Sequence, residues 1–416
     1  MSGRVRIVGG GLTGILAALQ AHALGARDIE LHERFDGLGG VALPRSRHGL
    51  ELRDGCIYFG PPGDPIRTLL EQHGLAFDDF DNRFGAISLD AQGALMAVGD
   101  FGGPSYPVAE TGLTAPAGDS LADRIACYPP QIAGRLADYC RWHLDGAALE
   151  AVHESAAIPL AVNRVHPALA DVAALAARKR AEPLADELYA IPRQLWGWTN
   201  NLVASLPRGG FAALFAGCRR ALDRLGVRVR ETSLVSPRDA LAGPPDETLV
   251  WTANPMPLFR PLGLKAPALV RKSFATVHFR ADYEGPLPFY LQNFTAQGVV
   301  FRLYVYETNG QVAAVAECVA EAGDAALRAE VGRLVAAFPE LRLTLGEQIA
   351  AVVGPRWIYH SVEAVAQLGA LRAAAAARLG PRFVPGAWEP YAKAEKFAQV
   401  QAGLEAALRG RIVTAA

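Results

Sequence analysis

The chain has 416 residues, of which 51% are hydrophobic and 20% charged, and its formal net charge at pH 7 is −1. This length exceeds one ordinary hydrophobic core, so two or more globular domains are expected, and the near-neutral charge gives no electrostatic reason for a nucleic-acid or membrane partner. Five scattered cysteines and nine histidines form no disulfide or metal pattern, and no uncharged apolar run reaches the roughly 18 residues of a membrane helix, so we expect a cytoplasmic protein without a metal site.

The first predicted elements are a strand, a glycine loop and a helix. Residues 5–8 predict a short strand, G-x-G-x-x-G follows at residues 9–14, and residues 12–24 carry apolar side chains at helical spacing. The next strand is expected at residues 29–33. In such a βαβ unit the first glycine makes the tight turn, the second admits a pyrophosphate, and the third lets helix and strand pack closely. The helix N-terminus then offers free N–H groups to the phosphates.

An acidic residue and a second glycine pair follow this unit. Glu33 lies 19 residues after Gly14, close to the spacing of the carboxylate that accepts ribose hydroxyls in dinucleotide sites. Gly39 and Gly40 come next, within the segment ERFDGLGG. For the first glycine motif taken alone, a glycine-rich surface loop without a ligand is the alternative interpretation.

The complete fingerprint resembles that of FAD enzymes of the amine oxidase, protoporphyrinogen oxidase and UDP-galactopyranose mutase superfamily. In that superfamily the second glycine pair brings the backbone close to the flavin nucleotide, which favours FAD over NAD as the cofactor. The resemblance implies an α/β fold, with a Rossmann-like FAD-binding domain of the glutathione reductase type and an inserted α+β substrate domain. The cofactor-binding residues that it implies are Gly9, Gly11, Leu12, Thr13, Gly14, Glu33, Arg34, Gly39, Gly40, Val41, Val235 and Thr252.

Three later segments resemble the same superfamily, in the same order. Residues 48–65 resemble the segment that often lies along the flavin. Residues 205–235 resemble the central Pro-x-Gly-Gly segment with its helix and strand, and by that resemblance the backbone of Val235 lies near the adenine. Residues 246–259 resemble the strand and turn that re-enter the nucleotide domain.

The resemblance also implies a division of the chain. The FAD-binding domain would be discontinuous and comprise residues 1–100, 200–262 and 385–416, and the substrate domain would comprise residues 101–199 and 263–384. The Gly- and Pro-rich segment at residues 100–119 predicts a loop at the first boundary. Within the substrate domain, alternating apolar residues around Asn309 and Gly310 predict a β-hairpin, and two Ala-rich segments, 168–190 and 362–379, predict helices.

The C-terminal segment departs from the superfamily pattern, which ends with a strand, a Gly-Asp or Gly-Arg turn and a helix under the flavin. Residues 394–408 predict a helix and residues 411–415 the last strand, after which the sequence reaches Ala416. Gly410 and Arg411 offer an alternative turn, but they precede that strand. On this alignment the usual C-terminal flavin motif is lacking and retention of FAD is in doubt. A homo-oligomer or a partner chain that completes the flavin site is one interpretation that the sequence leaves open.

The sequence carries no catalytic triad, G-x-S-x-G or P-loop motif, and a flavoenzyme requires none because the isoalloxazine carries the redox chemistry. The segment DGCIYFGPPGD supplies flavin-adjacent candidates in Asp54, Cys56, Tyr58 and Phe59, with ordinary core packing as the alternative. The mutase branch carries a His pair in this region, and its absence here weakens a mutase assignment.

The predicted substrate domain supplies further candidates. The segment LWGWTNN suits a sugar or planar substrate, or else a packed helix end, through Trp196, Trp198, Asn200 and Asn201. Two predicted strands present one set of side chains to the pocket and the other set away from it; their polar and aromatic residues are Tyr290, Gln292, Asn293, Arg302, Tyr304 and Tyr306. Arg302 either clamps a phosphate or carboxylate or is a surface charge. The catalytic residues stay unassigned, with Tyr58, Arg302 and Tyr304 as candidates.

Three functions remain open. The first is an FAD-dependent oxidoreductase that acts on a small metabolite by hydride transfer to the flavin. The second is a non-redox, flavin-dependent mutase of a nucleotide sugar, in which Arg302 would bind the pyrophosphate. The third is a flavin-free scaffold that serves as a binding subunit or performs other chemistry, and the C-terminal departure is what supports it.

Overall fold

The computed structural model describes residues 3–54, 57–82, 84–89, 94–99, 112–162, 172–189 and 203–414. In chain order its strands are β1 (Val5–Val8), β2 (Ile29–His32), β3 (Arg45–Arg47), β4 (Leu50–Leu52), β5 (Phe77–Asp81), β6 (Phe84–Leu89), β7 (Leu95–Gly99), β8 (Val203–Pro207), β9 (Arg228–Arg230), β10 (Thr248–Trp251), β11 (Val270–Glu284), β12 (Phe289–Asn293), β13 (Val300–Thr308), β14 (Gln311–Val319), β15 (Arg342–Tyr359) and β16 (Phe383–Pro385).

The helices are α1 (Leu12–Ala23), α2 (Pro65–Gln72), α3 (Leu121–Ala126), α4 (Pro130–His143), α5 (Val172–Ala181), α6 (Pro183–Leu188), α7 (Gly210–Arg224), α8 (Pro237–Leu241), α9 (Met256–Phe259), α10 (Asp324–Val335), α11 (Val362–Leu379) and α12 (Lys393–Thr414).

A five-stranded parallel sheet in the order β16-β10-β1-β2-β9 forms the first layer. The strands β1, β2 and β10 are short and mostly apolar, as expected for a parallel sheet that is buried on both faces. Helices α1, α7 and α12 pack on one face through a shared apolar core. Helices α8 and α11 cover the other face against Leu249 and Trp251. This is the predicted α/β fold with a Rossmann-like sheet, and the prediction is confirmed.

A seven-stranded mixed sheet in the order β15-β11-β14-β13-β12-β6-β7 forms the second layer. One face packs on α10, where Leu291 and Leu303 meet Leu327 and Leu334 in one apolar cluster. The opposite face carries aromatic and polar side chains and is partly covered by the β3–β4 hairpin, whose Leu50 packs on this face. Strands β6 and β7 reach this sheet from the N-terminal segment that the sequence assigned to the nucleotide domain.

Helices α3 to α6 form a third group, joined to the seven-stranded sheet by a separate apolar cluster. Tyr139 of α4 is fully buried in that cluster and packs on Phe294, with ring centroids 4.7 Å apart. Residues 163–171, which begin the first predicted Ala-rich segment, lie outside the described residues, and α5 and α6 supply the helices expected there.

The predicted hairpin is present, with Thr308 opposite Gln311 and positive φ angles of 52° and 71° at Asn309 and Gly310. Positive φ at both positions is the geometry for which Asn-Gly is favoured. The second predicted Ala-rich helix is α11.

The predicted helix at residues 394–408 is part of α12, but the predicted last strand at the C-terminus is wrong. Residues 411–414 belong to helix α12, and the last strand of the parallel sheet is β16, with Phe383 opposite Leu249 of β10. The β-branched residues near the end of the chain suggested a strand, but they continue a helix whose Phe397, Val400 and Leu404 are buried against the core of the parallel sheet. Packing of that apolar face overrides the local β propensity.

Candidate dinucleotide site and the sheet that faces it

The first glycine loop connects β1 to α1 at the carboxyl edge of the parallel sheet. Gly9 has φ 111°, and a Cβ atom on Gly14 would lie 1.8 Å from the Gly9 carbonyl oxygen, so both positions require glycine for the packing of the loop itself. A Cβ atom on Gly11 would meet nothing closer than the Gly40 Cα atom at 3.9 Å. The protein's own packing therefore leaves the Gly11 position open, which fits the close approach of a ligand.

Glu33 follows β2 and connects this loop to the next crossover. Its Oε2 atom accepts a hydrogen bond from the Gly10 N–H at 2.8 Å, and its Oε1 atom accepts one from the Phe35 N–H at 2.9 Å. The Glu33 carbonyl accepts the Ser233 N–H at 2.8 Å, which brings the segment after β9 alongside. Glu33 is thus fixed at the carboxyl edge of the parallel sheet, next to the loop that precedes α1.

The second glycine pair packs directly on the first loop. The Gly39 N–H donates to the Gly10 carbonyl at 2.9 Å, and Gly11 and Gly39 form a parallel bridge. Gly39 and Gly40 have φ angles of 128° and 58°, and a Cβ atom on Gly40 would lie 3.1 Å from the Gly11 Cα atom. Only glycine allows this close approach of two backbone segments.

The surroundings of the loops fit a bound dinucleotide. The first turn of α1 carries no acidic residue, so the positive end of its dipole is not neutralised by its own side chains. Four large apolar side chains are exposed along the same edge, with Val41 98% and Leu234 82% accessible; the others are Phe35 and Leu43. Exposed apolar groups concentrated around a polar loop are typical of a ligand site.

The other predicted cofactor residues lie at this edge with different local roles. The Arg34 guanidinium rests over the Phe35 ring, 4.3 Å from its centroid. Leu12 and Thr13 form the partly accessible start of α1, and Val235 is half-buried against the cluster that contains Trp251. The Thr252 hydroxyl donates to the carbonyls of Val8 and Gly9 at 3.1 and 3.0 Å, so it fixes the loop rather than pointing away from it.

The C-terminal segment has a strand, a turn and a helix in the order that the sequence analysis took to be missing, although the turn reads Gly386-Ala387 and not Gly-Asp or Gly-Arg. Strand β16 leads to Gly386, where a Cβ atom would lie 2.4 Å from the Trp251 carbonyl oxygen, so this turn packs on the end of β10. Helix α12 then begins at Lys393, whose Nζ atom lies 5.9 Å from the centroid of the Phe59 ring. The strand, glycine turn and helix therefore occur in this order, and the strand begins at residue 383 instead of 411, 28 residues earlier than the sequence alignment placed it.

A small, partly open cleft with a cavity volume of about 20 Å³ lies beside the second glycine pair. It is lined by Val41, Ala42, Leu43, Pro44, Leu52, Arg53, Asp54, Ile57 and Phe211. Arg53 is the buried cation of this wall: its Nε atom donates to Glu51 Oε1 at 3.0 Å, and its guanidinium lies over the rings of Tyr306 and Phe211 at 4.8 and 5.4 Å. Burial by itself lowers the pKa of Arg53, but Tyr304 and Glu51 raise it, so the guanidinium stays charged.

The polar face of the seven-stranded sheet is adjacent to this cleft. Strand register places Tyr290, Tyr304, Val315 and His278 in one row across four strands. A second row places Gln292, Arg302, Glu317 and Thr276 side by side. The His278 Nε2 atom lies 3.0 Å from Asp54 Oδ1, and this contact links the sheet to the segment that lines the cleft.

Arg302 is at the centre of a buried network. Its Nε atom donates to Gln292 Oε1 at 2.9 Å and its Nη1 atom lies 3.3 Å from Glu317 Oε2, while Gln292 also bonds the Tyr139 hydroxyl at 2.5 Å. Although burial alone lowers the pKa of Arg302, its neighbours Tyr290 and Glu317 raise that pKa above its usual range. Arg302 is 6% exposed, so the interpretation as a surface charge is wrong.

Of the other residues that the sequence analysis named as candidates, some lie on the polar face of the seven-stranded sheet and others lie elsewhere. Tyr58 packs edge-on against Tyr304, with ring centroids 6.1 Å apart, so these two candidates and Arg302 lie on one side of the sheet. Asn293 faces the other side, where its amide donates to the Val300 carbonyl at 2.8 Å. Cys56 and the LWGWTNN segment lie outside the described residues.

Sequence reasoning missed two parts of the site. Glu51 accepts from the N–H groups of Phe211 and Ala212 at 3.2 Å each, so it caps α7 and holds Arg53 at the same time. Some 160 residues separate Glu51 from Phe211, and no local pattern indicates that contact. The Gly386 turn was also missed, because the strand before it has only three residues and shows no alternation in the sequence.

One family model matches part of the chain: residues 7–72 match an NAD(P)-binding Rossmann-like domain. That match covers the glycine loop, Glu33 and the second glycine pair. A comparison with curated protein sequences gave no match.

Solved structures share the fold over nearly the whole chain. Reduced UDP-galactopyranose mutase has a TM-score of 0.65 and 13% identity, covering 100% of this chain and 95% of its own. A protein given as a protoporphyrinogen oxidase from Exiguobacterium sp. 255-15 has a TM-score of 0.62 and 16% identity, covering 99% of both chains. Cyclohexylamine oxidase from Brevibacterium oxydans IH-35A has a TM-score of 0.55 and 15% identity, covering 99% of this chain and 100% of its own. The resemblance inferred from the sequence is confirmed at the level of the fold.

Helices long and apolar enough to cross a membrane are absent from the part of the chain that the structure describes.

Proposed function

We propose that this chain is an FAD-dependent oxidoreductase that oxidises a small metabolite. The observation that carries the proposal is the pairing of the two glycine segments: Gly39 is hydrogen-bonded to Gly10, beside Glu33 and the α1 N-terminus. A nucleotide domain of the plain NAD type has no need of the second segment. The mutase and the two oxidases that share the fold support the same class of cofactor.

The chain's own residues would bind and orient this cofactor. The α1 N-terminus and the Gly11 backbone would hold the pyrophosphate, and Glu33 would accept the ribose hydroxyls. The Gly386 turn packs on the end of β10, and α12 begins with Lys393 beside Phe59. When bound, FAD would supply the acceptor for a substrate hydride. The tyrosine-rich face of the seven-stranded sheet would exclude water and position the substrate.

A nucleotide-sugar mutase is the second candidate, because reduced UDP-galactopyranose mutase shares the fold over the entire chain. That hypothesis needed Arg302 for a pyrophosphate, yet Arg302 is already paired with Gln292 and Glu317 inside the sheet. The flavin-free hypothesis and the expected partner chain both depended on a missing C-terminal motif. The order β16–Gly386–α12 supports a flavin site within this chain, but its turn lacks the Gly-Asp or Gly-Arg pair, so both alternatives stay open.

The first experiment is the visible spectrum of the purified protein, before and after saturation with FAD and desalting. Retained flavin bands at about 375 and 450 nm are the expected result. Substrates are then screened anaerobically by bleaching of the band at about 450 nm. A protein that stays colourless after reconstitution would refute the proposal, and a product formed without net bleaching or an electron acceptor would favour the mutase.

A further inference from the structure

In the described part of the chain, all but one (Ile158) of the exposed large apolar side chains lie at two places. The first is the edge of the parallel sheet at the candidate dinucleotide site. The second is strand β15, where Val352, Val353 and Ile358 are exposed, Val353 by 62%. Single exposed apolar residues are common on protein surfaces, but a contiguous group indicates an interaction surface. The dinucleotide site does not account for the second group, because β15 belongs to the seven-stranded sheet.

Strand β15 is an edge of that sheet, since β11 is its only partner among the described strands. In an antiparallel sheet, every second residue of an edge strand directs its N–H and C=O groups away from the sheet. From Ala350 to Gly354, no described backbone group outside the sheet hydrogen-bonds to these outward groups. Native proteins usually block such an edge with charges, prolines or bulges, because it can pair with another strand.

The blocking features of β15 lie only at the ends of one run. Register shifts interrupt the β11–β15 ladder on either side of Ala350–Pro355. Pro355 has no N–H group to donate, so the run that can pair on its outer side is Ala350–Gly354, with Val352 in the middle. This run contains no charged residue, and its three central side chains are exposed. The centre of the edge is therefore open to a further strand.

The charges that flank the run favour a second copy of this chain as that strand. Glu347 precedes the run and Arg356 follows it within β15. In an antiparallel pair of β15 strands, the Glu347 end of each copy meets the Arg356 end of the other, whereas a parallel pair would bring like charges together. Glu347 lies 3.6 Å from Arg280 and keeps 64% of its side chain exposed. The net charge of −1 per chain adds little repulsion between two copies.

We propose that two copies of this chain associate through β15, antiparallel, with Val352 opposite Val352 of the partner subunit at a two-fold axis. This register keeps each face of the sheet continuous across the axis, because opposite residues of a strand pair point to the same face. Ala351 then lies opposite Val353 of the partner subunit, and the same exposed patch is buried on both copies, as in other two-fold interfaces. The inference is independent of the proposed function, because the dinucleotide site takes no part in the pairing.

Sedimentation velocity of the full-length protein tests for this dimer. A single strand pair buries less surface than a standard stable interface, so we expect a reversible dimer whose fraction rises between roughly 1 and 100 μM protein. Hydrogen exchange, measured over the same concentrations, locates the contact. The outward amides of Ala350–Gly354 should exchange more slowly as the dimer fraction rises.

A charge exchange at the two-fold axis tests the register. Val352→Lys and Val352→Glu each place like charges opposite each other in a homodimer, so each variant alone should raise the dimer Kd by at least about tenfold. Mixing the two variants in equal amounts should restore a dimer, because Lys then faces Glu. Ala216→Lys is the matched control, since Ala216 is exposed on α7 and away from β15. It should leave the dimer unchanged, and melting temperatures identify any variant that is misfolded.

Three outcomes would overturn the proposal. A wild-type chain that stays monomeric at about 100 μM would mean that another segment of this chain or a different protein covers the edge. A dimer that persists unchanged in Val352→Lys would place the contact on another surface. Two folded, monomeric variants that fail to associate when mixed would show that Val352 does not face itself across the axis.

Discussion

Comparing Gly11→Ala with Gly14→Ala tests whether Gly11 is needed for ligand binding, because Gly14 is needed for the packing of the loop itself. Gly11 has φ −68° and ψ 176°, which any L-residue adopts, and its Cβ atom would lie 3.9 Å from the nearest neighbour. The free energy of unfolding should therefore change by no more than about 1 kcal/mol. Gly14→Ala is the opposite case, because its Cβ atom would lie 1.8 Å from the Gly9 carbonyl oxygen and the loop would have to move.

The effect of Gly11→Ala on FAD affinity should be much larger than its effect on stability. A methyl group on the open side of the loop would keep the pyrophosphate from the backbone and break at least one hydrogen bond to a charged oxygen. Such a bond contributes about 1.5 to 3 kcal/mol, so the Kd for FAD should rise roughly 10- to 150-fold.

Fluorescence titration with FAD and thermal unfolding of the apoprotein measure the two effects separately. Gly134→Ala is the matched control, since its Cβ atom on α4 would meet nothing within 4 Å and it lies away from the loop. Gly11→Ala with wild-type affinity and an unchanged melting temperature would refute the assignment of the loop to the phosphates. A marked loss of stability would instead refute the packing argument.

Three other changes test the surroundings of the loop and the buried network. Glu33→Ala removes the acceptor of the Gly10 and Phe35 N–H groups, so the melting temperature should fall because two donors lose a charged partner. The affinity for FAD should fall as well. Unchanged FAD affinity in a titration would exclude the ribose role. Gly386→Ala places a Cβ atom 2.4 Å from the Trp251 carbonyl oxygen and should cost about 1 to 3 kcal/mol of stability, and an unchanged melting curve would contradict the placement of this turn. Burial, with Arg302 and Lys272, lowers the pKa of His143 well below 6.5, so the unfolded chain gains a proton below that pH and the folded chain does not. The free energy of unfolding should thus fall as the pH drops below 6.5, and His143 contributes at most about 1.4 kcal/mol per pH unit to that fall. The His143→Gln variant should therefore lose less melting temperature between pH 7 and 5 than the wild type. An equal loss in both proteins would show that His143 does not contribute.

The sequence by itself determined the first half of the candidate site. The spacing of Gly9, Gly11 and Gly14, the position of Glu33 and the pair at Gly39 and Gly40 are local patterns. Glu33 is recognisable by its spacing from Gly14. The glycines are recognisable because each reports a tight turn, a close approach or a positive φ that few other residue types satisfy. The hairpin at Asn309 and Gly310 was predictable for the same reason.

Only the tertiary structure decided how the chain closes this site. Strand β16 has three residues and no alternation to detect, and it is a strand because β10 offers it a parallel partner. Residues 411–414 look like a strand locally, yet they extend a helix whose apolar face is buried against the parallel sheet. Glu51 and Phe211, which orient Arg53, meet from positions 160 residues apart. Contacts between distant segments depend on packing, and a local pattern does not encode them.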